Sequence, residues 1–266
     1  MIQVCLNGTR GAGDSAAVPM SPGALAESAA AAVAAGAAEV RVRPKTPCGS
    51  DSLSPRVVGP VLEAIRAAVD VPVGVTAGAR SEPDPVRRVE RVRAWTVLPD
   101  HASVDWHEPG AEAVAAALLE RGVAVEAGLR AGTQGPRLFA ESPLAPRVLR
   151  VRAEVTDTDP NTAADSARAL LAGLRVPGGV PVLPHGEDGG AWPVLRFAAE
   201  LGLDVRIGLE DVLVLPDGRA ARSNAQLVAA ARDLTEGRRY QSGNRWPTAI
   251  PGDDSGPAMR VTPEES

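Results

Sequence analysis

The segment that decides the fold is residues 103–129, "SVDWHEPGAEAVAAALLERGVAVEAGL". It begins with a short strand-like run. From Gly110 onward it continues through alanines and leucines at helical spacing, and it ends in a second strand-like run, "VAVEAGL". Alanine and leucine repeated every three or four residues favour an amphipathic helix, whereas short runs rich in valine favour buried strands. A strand, a helix and a second strand in this order predict a parallel βαβ unit.

The same pattern recurs along the whole chain. Strand-like segments that are each followed by a helical segment are "IQVCLN", "EVRVR", "VPVGVT", "ASVDW", "VAVEAGL", "RVLRVRAEV", "VPVLPHG" and "DVRIGLED". Eight consecutive strand-then-helix units fit a closed (β/α)8 TIM barrel better than an open doubly wound sheet, which remains the alternative. We therefore predict an α/β protein with one barrel domain at residues 1–236. A Pro- and Gly-rich polar tail at residues 237–266 would be disordered or cover a neighbouring surface.

Composition narrows the class of protein. Hydrophobic residues make up 44% of the 266 residues but aromatic residues only 3%, so the core must consist of Ala, Val and Leu. A net charge of −5 argues against general nucleic-acid binding. The two cysteines favour a reducing compartment over a disulfide framework. No apolar run reaches the roughly 20 residues that span a bilayer, and the start "MIQVCLNG" lacks signal-peptide features. These features predict a cytoplasmic protein with no nucleic-acid or membrane partner.

Polar residues follow most of the predicted strands, at the end where barrel enzymes carry their active sites. In "EVRVRPKTPCG", residues 39–49, Arg41 and Arg43 share one face of the strand because side chains alternate, and Lys45, the only lysine, follows. We expect these three cations at the barrel mouth. The candidate substrate-binding residues at the strand ends are Asn7, Arg41, Arg43, Lys45, Thr76, Glu126 and His185.

Three longer segments resemble one enzyme family. They are residues 18–40, 103–129 and 206–228, the last of which contains "RIGLED" followed by "SNAQLV". The chain resembles the β-keto acid cleavage enzymes, such as 3-keto-5-aminohexanoate cleavage enzyme, from about Ile2 to Leu234. The resemblance implies a (β/α)8 barrel that converts a β-keto acid and its co-substrate acetyl-CoA into acetoacetate and a new acyl-CoA.

The same resemblance assigns roles at the last strand. Arg206 and Asp211 match the family's catalytic residues, and Glu210 matches a ligand of its metal, usually zinc. An enolate or alkoxide that forms in a barrel mouth needs a fixed cation, and a neighbouring carboxylate can relay its proton. The match therefore predicts catalysis by Arg206 and Asp211 at the end of strand eight.

The second strand departs from the family pattern. The family has a metal-binding His-x-His where this chain has Arg41-Val42-Arg43. Arginine offers no lone pair to a metal, and zinc takes about three or four protein ligands, so Glu210 alone would not hold it. We therefore expect the family's zinc site to be lost. A relocated site formed by His107, His185 and Glu210 is an alternative that the spacing does not support.

Several roles remain open for the cations of strand two. Arg41 and Arg43 would pair with Glu210, Asp211 or Glu126, or replace the metal by stabilising a substrate carboxylate or oxyanion. Alternatively, they would bind a phosphate or another dianion without the family reaction. Lys45 would either lend charge or form a Schiff base with a keto acid.

Two functions follow from these alternatives. The first is an acetyl-CoA-dependent enzyme that cleaves a carbon–carbon bond by acyl transfer. The second is a catalytically silent homologue that binds an anionic small molecule at the barrel mouth. In both cases the expected partners are a small anionic substrate or ligand and, in a dimer or tetramer, further copies of the chain.

Overall fold

A computed structural model describes residues 1–239 of the chain. Its strands form one parallel eight-stranded sheet in the order β7-β6-β5-β4-β3-β2-β1-β8, which curls into a nearly closed barrel. The strands are β1 Ile2–Cys5, β2 Glu39–Val42, β3 Val73–Thr76, β4 His101–Asp105, β5 Ala124–Arg130, β6 Arg150–Val155, β7 Val182–Gly186 and β8 Val205–Ile207. The helices are α1 Pro22–Ala34, α2 Pro55–Arg66, α3 Pro85–Arg93, α4 Ala111–Glu120, α5 Gly135–Glu141, α6 Ala163–Gly173, α7 Ala191–Glu200 and α8 Asn224–Arg239. The prediction of a TIM barrel is confirmed.

Local sequence explains where the helices start. Ser21 caps α1, since its Oγ accepts a hydrogen bond from the Ala24 amide at 3.2 Å, and Pro22 occupies the first turn, as the sequence predicts. Asp84 caps α3 in the same way. Helix α2 continues through Pro60 from Pro55 to Arg66. Because each helix follows a parallel strand, the helix N-termini lie near the end of the barrel where the strands finish.

The apolar core lies between the strands and the surrounding helices, and it is built mainly of Val, Ala and Leu. The barrel interior is different. Branched apolar side chains usually fill it, but here charged side chains from neighbouring strands face one another, as in the register pair Glu126–Arg150, whose carboxylate and guanidinium groups lie 2.8 Å apart. The interior is therefore a polar network that reaches from the base to the mouth.

The last strand reaches the mouth through a glycine. A Cβ on Gly208 would lie 2.0 Å from the Cys5 carbonyl oxygen, so only glycine allows the chain after β8 to approach β1 this closely. Strand β8 pairs with β1, while no ladder between β7 and β8 is present in the described sheet. The Asp188 amide closes this seam by donating to the Asp211 carbonyl at 2.7 Å.

The predicted boundary of the tail falls inside the last helix. Helix α8 continues to Arg239, and the predicted tail lies outside the described residues from residue 240 onward. Within residues 1–239, no helix combines the length and apolar character needed to cross a membrane.

Candidate active site at the barrel mouth

The residues assigned to catalysis lie together at the end of β8. Arg206 Nη2 donates to Asp211 Oδ1 at 2.6 Å and Arg206 Nε donates to Asp211 Oδ2 at 3.3 Å, a two-pronged pairing. Arg206 Nη2 also lies 3.1 Å from Glu210 Oε1. Arg206 and Asp211 are only 2% and 1% exposed. One buried guanidinium group therefore contacts two neighbouring carboxylates.

Arg41 completes this cluster from β2. Its Nη1 donates to Glu210 Oε1 at 3.0 Å, and its Nη2 donates to Thr76 Oγ1 at 2.8 Å and to Ser103 Oγ at 2.9 Å. Burial raises the pKa of Glu210, but the charges of Arg41 and Arg206 outweigh burial and hold that pKa far below its ordinary value. Arg41 thus pairs with Glu210, one of the three carboxylates with which the sequence predicted it to pair. Thr76 orients the Arg41 guanidinium group.

Asp211 and His185 face each other across the seam. Burial raises the pKa of Asp211; Arg206 opposes this rise and the charge of Glu210 adds to it. Arg152 Nη1 lies 3.0 Å from His185 Nε2, and because arginine can only donate, Nε2 accepts and the ring proton is on Nδ1. Burial and the nearby arginines lower the pKa of His185 well below its ordinary value. A neutral imidazole therefore presents its Nδ1, 3.7 Å away, to a carboxylate whose pKa is raised.

Arg152 links the mouth to Glu126, which lies below it, and was not among the candidate residues from the sequence. Its Nη2 pairs with Asp105, its Nη1 lies 3.2 Å from Glu154 Oε2, and its Nε lies 3.5 Å from Glu126 Oε1. The available signal was the alternation in "RVRAEV", which puts Arg150, Arg152 and Glu154 on one face of β6.

Asp51 organises the cations beyond β2. Lys45 Nζ lies 2.6 Å from Asp51 Oδ1, while Arg43 Nη1 and Arg80 Nε lie 3.4 and 3.3 Å from Asp51 Oδ2. Three cations share one carboxylate, so this side of the mouth keeps a positive charge. Arg43 pairs here rather than with Glu210, Asp211 or Glu126.

Asn7 holds the backbone beneath these cations. Its Nδ2 donates to the Arg43 carbonyl at 3.0 Å, and its Oδ1 accepts from the Arg43 amide at 3.0 Å. The Asn7 side chain is completely buried. In this structure Asn7 positions the strand end, and its predicted contact with substrate stays a prediction.

We expect Lys45 to act through its charge. Its Nζ is buried and lies 2.6 Å from Asp51 Oδ1, so the ion pair occupies the atom that a Schiff base would need. Borohydride reduction in the presence of β-keto acids should therefore trap no adduct, as mass spectrometry would show. Lys45→Arg should keep the binding of anionic ligands largely intact. An adduct that maps to Lys45 would support a Schiff base instead.

Glu126 lies deeper than the sequence suggested. Strand β5 continues to Arg130, so Glu126 belongs to a layer at the base of the barrel interior. There Arg150 Nε donates to Glu126 Oε2 at 2.8 Å, Arg150 Nη1 donates to Glu39 Oε2 at 3.0 Å, and His101 Nε2 lies 3.1 Å from Glu39 Oε1. Gln3 Nε2 donates to both glutamates. We call this group, Gln3, Glu39, His101, Glu126 and Arg150, the base layer.

At the mouth, Glu210, which matches a metal ligand of the family, is already engaged by two guanidinium groups. Its Oε1 accepts from Arg41 and contacts Arg206, and these two cations would repel a metal ion placed beside them. His107, His185 and Glu210, the relocated alternative, do not converge on one point in residues 1–239. The group of possible ligands that does converge is Glu39, His101 and Glu126, whose ligand atoms lie within 4.8 Å of one another.

Metal content remains a prediction, and it is measurable. Both carboxylates of the convergent group pair with Arg150, which a metal would have to displace. We therefore expect purified protein to hold much less than one zinc per chain after dialysis against a weak chelator, as elemental analysis would show. If about one zinc per chain is retained, its loss in His101→Ala would locate it in the base layer. Its loss in Glu210→Gln would locate it at the mouth.

Several buried polar atoms at the mouth lack a hydrogen-bond partner within the described chain. Leaving such an atom unpaired costs about 1–3 kcal/mol, so a cluster of them indicates where a ligand supplies the missing partners. Most are donors on cationic groups, which favours an anionic ligand. The atoms are Arg41 Nε, Arg43 Nε, Arg152 Nε, His185 Nδ1, Arg206 Nη1 and Glu210 Oε2.

Comparisons with solved structures support the fold. ObcA in complex with a C4-CoA adduct and oxalate superposes with a TM-score of 0.66 at 16% identity, over 85% of this chain and 65% of ObcA. ObcA with oxaloacetate gives 0.63 at 18% identity over the same shares. The chain thus spans less than two thirds of ObcA. Type I 3-dehydroquinate dehydratase from Clostridium difficile gives 0.59 at 12% identity, over 89% of this chain and 92% of the dehydratase.

Sequence comparison identifies the family. No curated protein matches the chain. The sequence profile described as beta-keto acid cleavage enzyme matches residues 1–132 and 157–241, which include every strand except β6. The chain therefore belongs to the β-keto acid cleavage enzyme family.

Proposed function

We propose that the chain transfers an acetyl group from acetyl-CoA to a β-keto acid, releasing acetoacetate and a new acyl-CoA. Family membership supports this reaction class. The observation that carries the proposal is the buried Arg206–Asp211 pair, around which Arg206 Nη1, Glu210 Oε2 and His185 Nδ1 remain unpartnered. Structures of ObcA that contain a CoA adduct or oxaloacetate give further support, since both ligands belong to the chemistry proposed here.

The reaction balances without an oxidant or reductant. Asp211 removes a proton from the methylene carbon of the keto acid, and the resulting carbanion attacks the thioester carbonyl of acetyl-CoA. A carbon–carbon bond forms, the carbon–sulfur bond breaks and the CoA thiolate leaves. The thiolate then attacks the original keto carbonyl, whose bond to the former methylene carbon breaks. The new acyl-CoA forms, and the acetoacetate carbanion takes the proton back from Asp211.

The arginines stabilise the charge that develops in these steps. Negative charge grows on the keto oxygen and on the thioester oxygen, and fixed cations in a site shielded from water stabilise such charge without reorganisation. Arg206 offers its unpartnered Nη1, and Arg41 is held in place by Thr76 and Ser103. Arg43 and Lys45, which share Asp51, would attract the substrate carboxylate.

Asp211 is suited to moving the proton. Its raised pKa makes it a stronger base than an ordinary aspartate, because burial disfavours its charge. The Nδ1–H of neutral His185 faces it and can stabilise the ionised form. We infer that His185 assists Asp211 and does not itself take the proton, since its own pKa is lowered.

One observation favours the silent-binder alternative. Arg41, which occupies the position of a metal-binding histidine in the family, is already paired with Glu210. The unpartnered donors that remain at the mouth would bind any small dianion. One assay distinguishes the acyl-transfer enzyme from the silent binder. Purified protein is incubated with acetyl-CoA and a panel of monocarboxylic and dicarboxylic β-keto acids, and acetoacetate is quantified over time. Acetoacetate that depends on enzyme and on both substrates supports the proposed reaction.

A further inference from the structure

A cavity of about 520 Å³ lies beside the mouth, between the loops after β1 and β2 and the first half of α2. This volume is within the range of roughly 300–1,000 Å³ typical of small-molecule sites. The cavity is separate from the cluster at the end of β8. The residues that line it are Ala12, Met20, Ser21, Pro22, Lys45 and Thr46, with Pro47, Cys48, Gly49, Arg56, Val57, Pro60 and Val61.

The walls of this cavity combine apolar surface with positive charge. Most lining residues are apolar, and the polar ones are few: Ser21 and Thr46 offer hydroxyl groups, and Lys45 and Arg56 carry charge. Ser21 caps α1 and Arg56 is in the first turn of α2, so two helix N-termini add partial positive charge. Such a wall fits a ligand with a long uncharged body and an anionic end.

The cavity and the charged residues of the mouth share Lys45, just after β2. Lys45 lines the cavity and pairs with Asp51, which also contacts Arg43. Arg43 directly follows β2 and is two residues from Arg41. On the basis of the proposed function, we propose that the pantetheine arm of the CoA thioester occupies this cavity. Its thioester would enter the mouth past Lys45, and its diphosphate would lie beside exposed Arg56.

The cysteines supply a test that does not depend on activity. Cys48 lines the cavity and is exposed, Cys5 is completely buried, and the chain has no other cysteine. A thiol reagent such as dithiobis-nitrobenzoate should therefore label Cys48 selectively, and Cys48→Ser should abolish the fast reaction. Acetyl-CoA, which has no free thiol, should slow the labelling on the order of tenfold at ten times its dissociation constant, because only free protein reacts. Adenosine 3′,5′-bisphosphate, which lacks the arm, should protect much less.

Two pairs of variants test the assignment independently. Val57→Trp should fill the cavity and remove the protection by acetyl-CoA, whereas Val86→Trp on the exposed face of α3 should not. Arg56→Ala should raise the KM for acetyl-CoA about fivefold, the value of a partly exposed ion pair, without changing kcat or the KM for the keto acid. Arg66→Ala, at the opposite end of α2, is the matched control.

The outcomes separate this inference from the proposed function. If acetyl-CoA reacts with keto acids but neither protects Cys48 nor responds to Val57→Trp, the arm lies elsewhere and the cavity assignment is wrong. If acetyl-CoA protects Cys48 and Val57→Trp removes the protection while no keto acid reacts, the cavity assignment holds and the proposed reaction is wrong.

Discussion

Asp211→Asn should lower the rate of acetoacetate formation by a factor on the order of 10²–10⁴, the usual contribution of general acid–base catalysis. Asparagine keeps the size of the side chain but cannot accept the proton of the keto acid. Arg206 would keep its contact with Glu210, so the circular dichroism spectrum should match that of the wild type. Initial rates at saturating acetyl-CoA, measured for both proteins, give the comparison.

Asp188→Asn is the matched control for this variant. Asp188 lies next to the site, pairs with Arg10 through an exposed carboxylate and has a φ of 48°, a conformation that asparagine tolerates. The Asp188→Asn variant should form acetoacetate at a rate close to that of the wild type. A rate for Asp211→Asn within tenfold of the wild type would mean that another group removes the proton.

Arg150→Met should lower the free energy of unfolding by about 3–5 kcal/mol, the usual cost of removing one partner from a buried ion pair. Arg150 donates to Glu126 and to Glu39, and the variant would remove the cation that these two buried carboxylates share. Glu126 would keep only its longer contact with Arg152, at 3.5 Å. Urea denaturation at neutral pH measures the difference. The control is Arg137→Met, which breaks an exposed pair with Glu141 and should cost less than about 1 kcal/mol.

The pH dependence of this loss tests its electrostatic cause. Burial raises the pKa of Glu39, but hydrogen bonds from His101 and Arg150 outweigh burial and lower it to about 2. A depressed pKa contributes stability that is present above the ordinary value of about 4.3 and is lost as the pH falls towards 2. The deficit of Arg150→Met should therefore be largest at neutral pH and shrink below about pH 4. Equal stability of variant and wild type at neutral pH would contradict the pairing in the base layer.

The fold could be predicted because its signals are local. Each strand-then-helix unit carries its own periodicity, and Ser21 with Pro22 marks a helix start within two residues. The cluster of Arg206 and Asp211 followed from resemblance to the family. Asp51, which organises the mouth cations, is in a loop, and nothing in its local sequence indicates that Lys45, Arg43 and Arg80 converge on it.

The polar interior could not be predicted in the same way. Alternation in "RVRAEV" puts Arg150 and Arg152 on one face of the strand, but a strand with charged alternate residues usually exposes that face, so the alternation alone does not indicate that it points into the barrel. The depth of Glu126 was misjudged, because it is the third residue of β5, which continues through Gly128 to Arg130. In the structure this glycine makes room, since a Cβ there would lie 2.1 Å from Asp105 Oδ1. Contacts across a barrel depend on register between strands, which one sequence does not specify.

Acetyl-CoA labelled with carbon-13 at both acetyl carbons tests the central claim most directly. With unlabelled β-keto acids and chelator-treated protein, the proposed reaction places both labels, still adjacent, in the methyl and keto carbons of acetoacetate. An equal amount of new, unlabelled acyl-CoA should form, and nuclear magnetic resonance detects both products. The contradicting result is acetyl-CoA that stays intact with every keto acid, while small dianions raise the Tm and Arg41→Ala abolishes that shift. The mouth would then be a binding site for anions and not the active site of an acyl transfer.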